Sequence, residues 1–160
     1  MTEEAKQDEP KREFAMQRIY TKDLSFETPN SPTIFQQEWK PESSVNLNTE
    51  VNKLSDNIFE VTLTVTVTTK IADKTAYLAE VKQSGIFGIN GFPDQEMGPL
   101  LGSYCPNLLF PYVREVVSDL VTKGSFPQLL LQPVNFDALY AQHQQGMAKK
   151  AAEGQNSATH

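Results

Sequence analysis

One cysteine and two histidines are all the thiol and imidazole groups that this 160-residue chain offers. A lone Cys105 closes no internal disulfide, and with only His143 and His160 beside it no four-ligand zinc site can be assembled from Cys and His. Cys105 lies just ahead of a helical pattern whose N-terminus would lower a thiol pKa, but there is no histidine placed to serve as its base, so catalysis is not expected. The carboxylates are scattered over polar positions and form no tuned pair. Long apolar runs are missing too. Nowhere do 18 apolar residues follow one another, and the opening MTEEAKQDEPKRE has no apolar core of the kind a secretory leader carries. A cytoplasmic location is the expectation. Basic charge is in deficit, with 14 Lys and Arg against 20 Asp and Glu and a formal net charge of −6. That balance disfavours nucleic acid and anionic membrane and suits a basic protein partner. The glycines at 85, 88 and 91 have no GxGxxG spacing and no Lys-Ser/Thr after them, so no cofactor or nucleotide loop is predicted, only a loose apolar loop running on to Gly102.

What is present is alternation. Across Ile58–Ile71 the odd positions hold Phe59, Val61, Leu63, Val65, Val67 and Ile71, and the even ones Glu60, Thr62, Thr64, Thr66, Thr68 and Lys70. A period of two with β-branched residues predicts a long strand with one dry and one wet face. Phe14, Met16, Tyr20, Leu24 and Phe26 share a parity that predicts an earlier strand, although Arg18 and Lys22 fall on that parity and Ile19 on the other. Val45, Leu47 and Val51 alternate with asparagines as a third strand, and Tyr77, Ala79 and Val81 form a fourth after the short turn at Ala72-Asp73-Lys74. Between the first two, TPNSP breaks regular structure, and Ile34, Phe35 and Trp39 form an unusually apolar connector. Leu108, Leu109, Tyr112, Val113, Val116, Val117, Leu120 and Val121 then make two adjacent rows at spacing four, predicting an amphipathic helix over residues 107–123. Pro111 fits near its start and Gly124 at its stop. Asn135 is placed to cap a second, short helix through Phe136, Leu139 and Tyr140. The fold class expected is α+β, a four-stranded antiparallel sheet with helices packed on one face. One domain over residues 14–141 is expected between a mobile acidic segment 1–13 and a disordered tail 142–160. Its connectors carry more apolar groups than a monomer should expose, which points to self-association or partner binding.

Several longer stretches are specific. FAMQRIYTKDLSFETPNSP from Phe14, YLAEVKQSGIF from Tyr77 and LLGSYCPNLLFPYVREVVSDLVTKGSFPQLLLQPVNFDALY from Leu100 closely resemble the SecB family of bacterial protein-export chaperones. The resemblance runs in register over about residues 14–140. It implies a SecB-like sheet with helices on one face, assembled as a homotetramer that is a dimer of dimers. It implies binding of unfolded secretory precursor proteins without ATP, and their delivery to the SecA motor, with no enzyme activity.

By the same resemblance Trp39, Val45, Leu47 and Tyr140 line an apolar client groove. Asp23, Glu27, Leu78 and Glu80, which parity sets on the outward face of the first and fourth strands, match the positions that hold the basic, zinc-bearing C-terminal segment of SecA. Ala79, Val81 and Gln83, with the helix over residues 107–123, are expected at the oligomer interface. The alternative from another class is a small-ligand binding protein that uses the cleft between sheet and helix, and a third is a hydrolase built on Cys105. Saturable affinity for one defined small molecule would mark the first, and loss of all activity on Cys105→Ala the second. Neither requires affinity for unfolded chains.

Overall fold

Four strands form one antiparallel sheet in the computed structural model, which describes residues 10–157: β1 (Glu13–Glu27), β2 (Glu42–Ser55), β3 (Ile58–Ile71) and β4 (Lys74–Asn90), in the spatial order β1-β4-β3-β2. Residues 1–9 of the expected mobile segment and 158–160 of the expected tail lie outside the described residues. The alternation in β3 comes out as read: Val61, Leu63, Val65 and Val67 are fully buried, while the threonines between them face the other side, with only Thr62 also buried. β4 joins β3 through two residues, Ala72 and Asp73, both with positive φ (47° and 66°). Left-handed backbone at both positions gives the turn whose twist matches the strands it connects.

Two irregularities in β1 account for its mixed parity. Its pairing with β4 slips once between Met16 and Arg18 and again between Thr21 and Asp23, leaving Gln17 and Lys22 as extra residues. Each bulge exchanges the faces of everything after it. Phe14, Met16, Ile19, Thr21, Leu24 and Phe26 therefore lie opposite dry-face residues of β4, and Tyr20, Asp23 and Glu27 opposite wet-face ones.

The helical layer departs from expectation at its start. β4 runs on through Gly85 and Gly88 to Asn90, where a loop was expected, and Phe87 and Ile89 continue its buried face. Helix α1 (Asp94–Pro99), a π turn (Leu100–Tyr104) and α2 (Cys105–Lys123) then follow one another without a break, so the helix begins thirteen residues before Asn107. Pro99, Pro106 and the glycines disguised it. Pro106 offers no N–H to the carbonyl of Gly102 and its ring crowds that carbonyl. The turn before it is the widened one, with the Cys105 N–H donating to the Leu100 oxygen. Gly85 serves packing: a Cβ there would lie 2.7 Å from the Phe87 ring and 3.1 Å from Leu109 of α2. Glycine lets the helix approach the sheet this closely.

Of the two apolar rows of α2, one is spent on the sheet and one is not. Leu109, Val113, Val117 and Val121 are fully buried against β3 and β4, while Leu108, Val116 and Leu120 are half-buried and Tyr112 is exposed. Ser118, expected on the polar side, is buried and accepts a hydrogen bond from Gln128 Nε2 at 3.1 Å. After residues 124–135 the last helix, α3 (Phe136–Ser157), opens with the Ala138 N–H donating to Asn135 Oδ1 at 3.0 Å. It is one helix of 22 residues where a short helix and a disordered tail were expected. Alanine, glutamine, lysine and methionine after Gln142 are good helix formers even though they supply no apolar face. Asn135→Ala is expected to cost about 1 kcal/mol of stability in thermal melting. Asn135→Ser should restore it, because a serine oxygen caps equally well.

Candidate functional site

α2 covers β4 and β3 but stops short of β2, and the consequence is an uncovered apolar strip. The dry face of β2 carries Val45, Leu47 and Val51, paired to Val67, Val65 and Val61 of β3. The three partners are fully buried, whereas Val45 and Val51 remain 43% and 45% exposed. Facing this strip, the start of α3 and the π turn close a groove of about 440 Å³ lined by Leu47, Val51, Leu101, Phe136, Leu139 and Tyr140. Leu47 and Tyr140, both expected in a groove, meet in it. Val45 continues the strip just outside. Val51 was legible as the next apolar residue of the same parity, while Leu101 and Leu139 depend on where the helices sit and carry no such signal.

Trp39 belongs to a neighbouring feature. Its ring lies 5.8 Å from that of Phe126, which stacks on Phe35 at 5.2 Å and meets Tyr77 at 4.9 Å, and Tyr77 in turn stacks on Phe26 at 5.8 Å. Five rings thus join the connector, β1, β4 and the segment after α2. Offset and tilted pairs at these separations contribute beyond their buried area. Phe126 and Tyr77 are buried, and Phe35 and Trp39 are exposed.

The wet face gathers the other expected set. Register places Glu27 opposite Leu78, Ser25 opposite Glu80 and Asp23 opposite Lys82, so Asp23, Glu27, Leu78 and Glu80 occupy one patch on adjoining strands. The second bulge puts them there, since without it Asp23 and Glu27 would turn inward. Glu80 Oε2 accepts from Thr66 Oγ1 at 3.0 Å. Farther along, Glu60 accepts from the Tyr20 hydroxyl and from Lys22 Nζ, and these two bonds, the tyrosine first, hold its carboxyl below the usual range. Burial, then the bond to Glu60, pushes the Tyr20 hydroxyl up.

Ala79, Val81 and Gln83, expected at the oligomer interface, lie on the dry face of β4. All three are buried beneath α2 within this one chain, and Gln83 Oε1 accepts from Thr21 Oγ1 at 2.9 Å. Parity gave them a dry face, and α2, within the helix expected over residues 107–123, covers it. Beside them the second row of α2 stays partly open, where Tyr112, Val116 and Leu120 face Leu24 of β1 and Gln83 of β4 across a shallow depression of about 770 Å³.

Cys105 sits inside a continuous helix rather than at an N-terminus, fully buried, and burial pushes its thiol up to about 12. It is neither reachable nor ionised at neutral pH. Among the described residues no cluster of His, Cys, Asp and Glu could hold a metal, and no helix is long and apolar enough to cross a membrane.

Comparison with known proteins follows the same lines. The family described as preprotein translocase subunit SecB matches residues 6–147. The protein-export protein SecB of Methylococcus capsulatus is 60% identical over 153 residues, covering 96% of this chain and 97% of the relative. That of Nitrosococcus oceani is 62% identical over 135 residues, covering 83% and 82%. Among solved structures, a SecB-like chaperone of Mycobacterium tuberculosis, bound to a peptide from an antitoxin, shares the fold with a TM-score of 0.63 at 17% identity, over 76% of this chain and 90% of that one.

Proposed function

The chain belongs to the SecB family of protein-export chaperones, and from that membership we propose that its groove along β2 holds unfolded precursor proteins until they are delivered to SecA. The observation that carries this reading is the uncovered dry face of β2, whose valines stay open while their partners on β3 are fully buried. An apolar strip of this kind selects unfolded chains, because only they present several large apolar groups together. β2 is also an edge strand, so an extended client can add main-chain hydrogen bonds along it. No step of this work needs nucleotide. Delivery uses the acidic patch of Asp23, Glu27, Leu78 and Glu80, which complements the basic tail of the motor. The protein works in the cytoplasm as a dimer of dimers. The half-open row of α2, with Leu24 and Gln83 beside it, supplies the surface for assembly, and Ala79 and Val81 support that helix from below.

Two measurements test this. The protein is expected to slow the aggregation of an unrelated denatured protein without nucleotide, and native mass measurement at micromolar concentration is expected to give four chains of 17.9 kDa. Undiminished aggregation would remove the chaperone role from this chain, and a stable monomer would remove the assembly.

A further inference from the structure

Resting on the groove proposed above, we infer that Gly98 and Gly102 are positioning residues for client binding: together they form a seat without side chains into which the Tyr140 ring sinks, and the depth of that seat sets the width of the groove. The two glycines stand four apart, on one face of the helix that runs through α1 and the π turn. A Cβ on Gly102 would lie 2.6 Å from Cδ2 and Cε2 of Tyr140, and one on Gly98 would lie 2.3 Å from its hydroxyl oxygen. Glycine inside a helix is destabilising relative to alanine. Two of them within one turn therefore oppose the helix they sit in, and the tyrosine accounts for both.

Tyr140 is also the last half-buried residue of α3 before an exposed stretch, of which His143 and Gln144 still line the groove. The first turn is pinned by buried Phe136 and by the hydrogen bond from Ser103 Oγ to Asp137 Oδ1. One turn later Tyr140 lies on the two glycines, and from residue 141 to 154 every residue is exposed. Glycines and ring line the groove together with Leu47 and Val51 of β2. A side chain on the seat therefore lifts the ring toward β2, or swings α3 about its pinned first turn. Either movement alters the space a client occupies.

The two glycines meet different parts of the ring, and the test uses that. Affinity is measured for a reduced, alkylated client that cannot refold. Gly102→Ala is expected to lower it about fivefold, with a melting temperature equal to or above that of the unaltered protein, and by less than about twofold when Tyr140→Ala is already present. Gly98→Ala is expected to lower it less, and Tyr140→Phe should rescue that loss, because the next ring atom stands 3.5 Å from the added Cβ, an ordinary contact. Equal losses in the presence and absence of the ring, or no rescue by phenylalanine, would overturn the inference. So would unchanged affinity in both glycine variants while Tyr140→Ala alone weakens binding. No loss in Tyr140→Ala itself would instead overturn the groove reading, and this inference with it.

Discussion

Converting Asp23 and Glu80 together to lysine is expected to weaken capture of a peptide carrying SecA's basic C-terminal segment by more than about a hundredfold, or roughly 2.8 kcal/mol. Affinity for unfolded clients should stay within about twofold of the unaltered protein. The separation of effects follows from the sheet. Both acids are on the wet face, and the groove is formed by the dry face of β2 on the far side of β3 and β4. Leu78, half-buried opposite Glu27, gives the patch an apolar centre about which charge can orient a partner. Such charge chiefly speeds encounter and fixes orientation. The captured fraction should therefore fall between low and physiological salt, where the screening length shortens to about 8 Å. Lysine at position 23 would face Lys82 directly, a like-charge pair that costs a few tenths of a kcal/mol and does not threaten the fold. Equal loss of peptide and client binding would mean that clients cross this face. Retention of the peptide would remove the docking proposal.

Trp39→Ala with Tyr140→Ala is expected to lower client affinity by more than about tenfold, roughly 1.4 kcal/mol, with the assembly intact. The two rings stand in neighbouring features, one on the aromatic row built around Phe126 and one in the glycine seat beside β2. Trp39 is 37% exposed, so its removal forfeits modest packing within the chain. Large flat rings accept varied side chains through contact area rather than through a fixed shape, which suits a site that must take many sequences. Isothermal titration with the alkylated client decides it: unchanged affinity at unchanged native mass would place the clients elsewhere.

How far the residues alone reached depended on whether each signal was local. The alternation in β3 needed no partner to be read, and neither did the Asn135 cap. β1 misled because Gln17 and Lys22 are bulge residues, and a bulge shows in sequence only as parity that fails and later recovers. The start of the helix was hidden by Gly98, Pro99, Gly102 and Pro106, each a helix breaker by propensity. Their presence is explained by contacts distant in sequence, the Tyr140 ring above all, and by the widened turn that accommodates Pro106. The wet-face patch followed from parity, since the failures cancel before Asp23. Ala79, Val81 and Gln83 were legible as dry-face residues but not as residues roofed by their own chain. Which chain supplies the roof is a matter of helix placement, and no period in the strand encodes it.

The free edge of β2 has one more consequence, for the behaviour of the protein at high concentration. A fourteen-residue strand with open main-chain groups and valines on one side resembles a seed for fibre growth. The same edge proposed to accept a foreign strand is offered to every other copy in solution. Glu42, Glu50 and Lys53 place charge along it, and Asn46, Asn48 and Asn52 dilute its tendency to extend a sheet. Identical strands stacked in register would bring each of these charges against its own kind. A client carries no matching set, so the strand is sticky toward others and repellent toward itself.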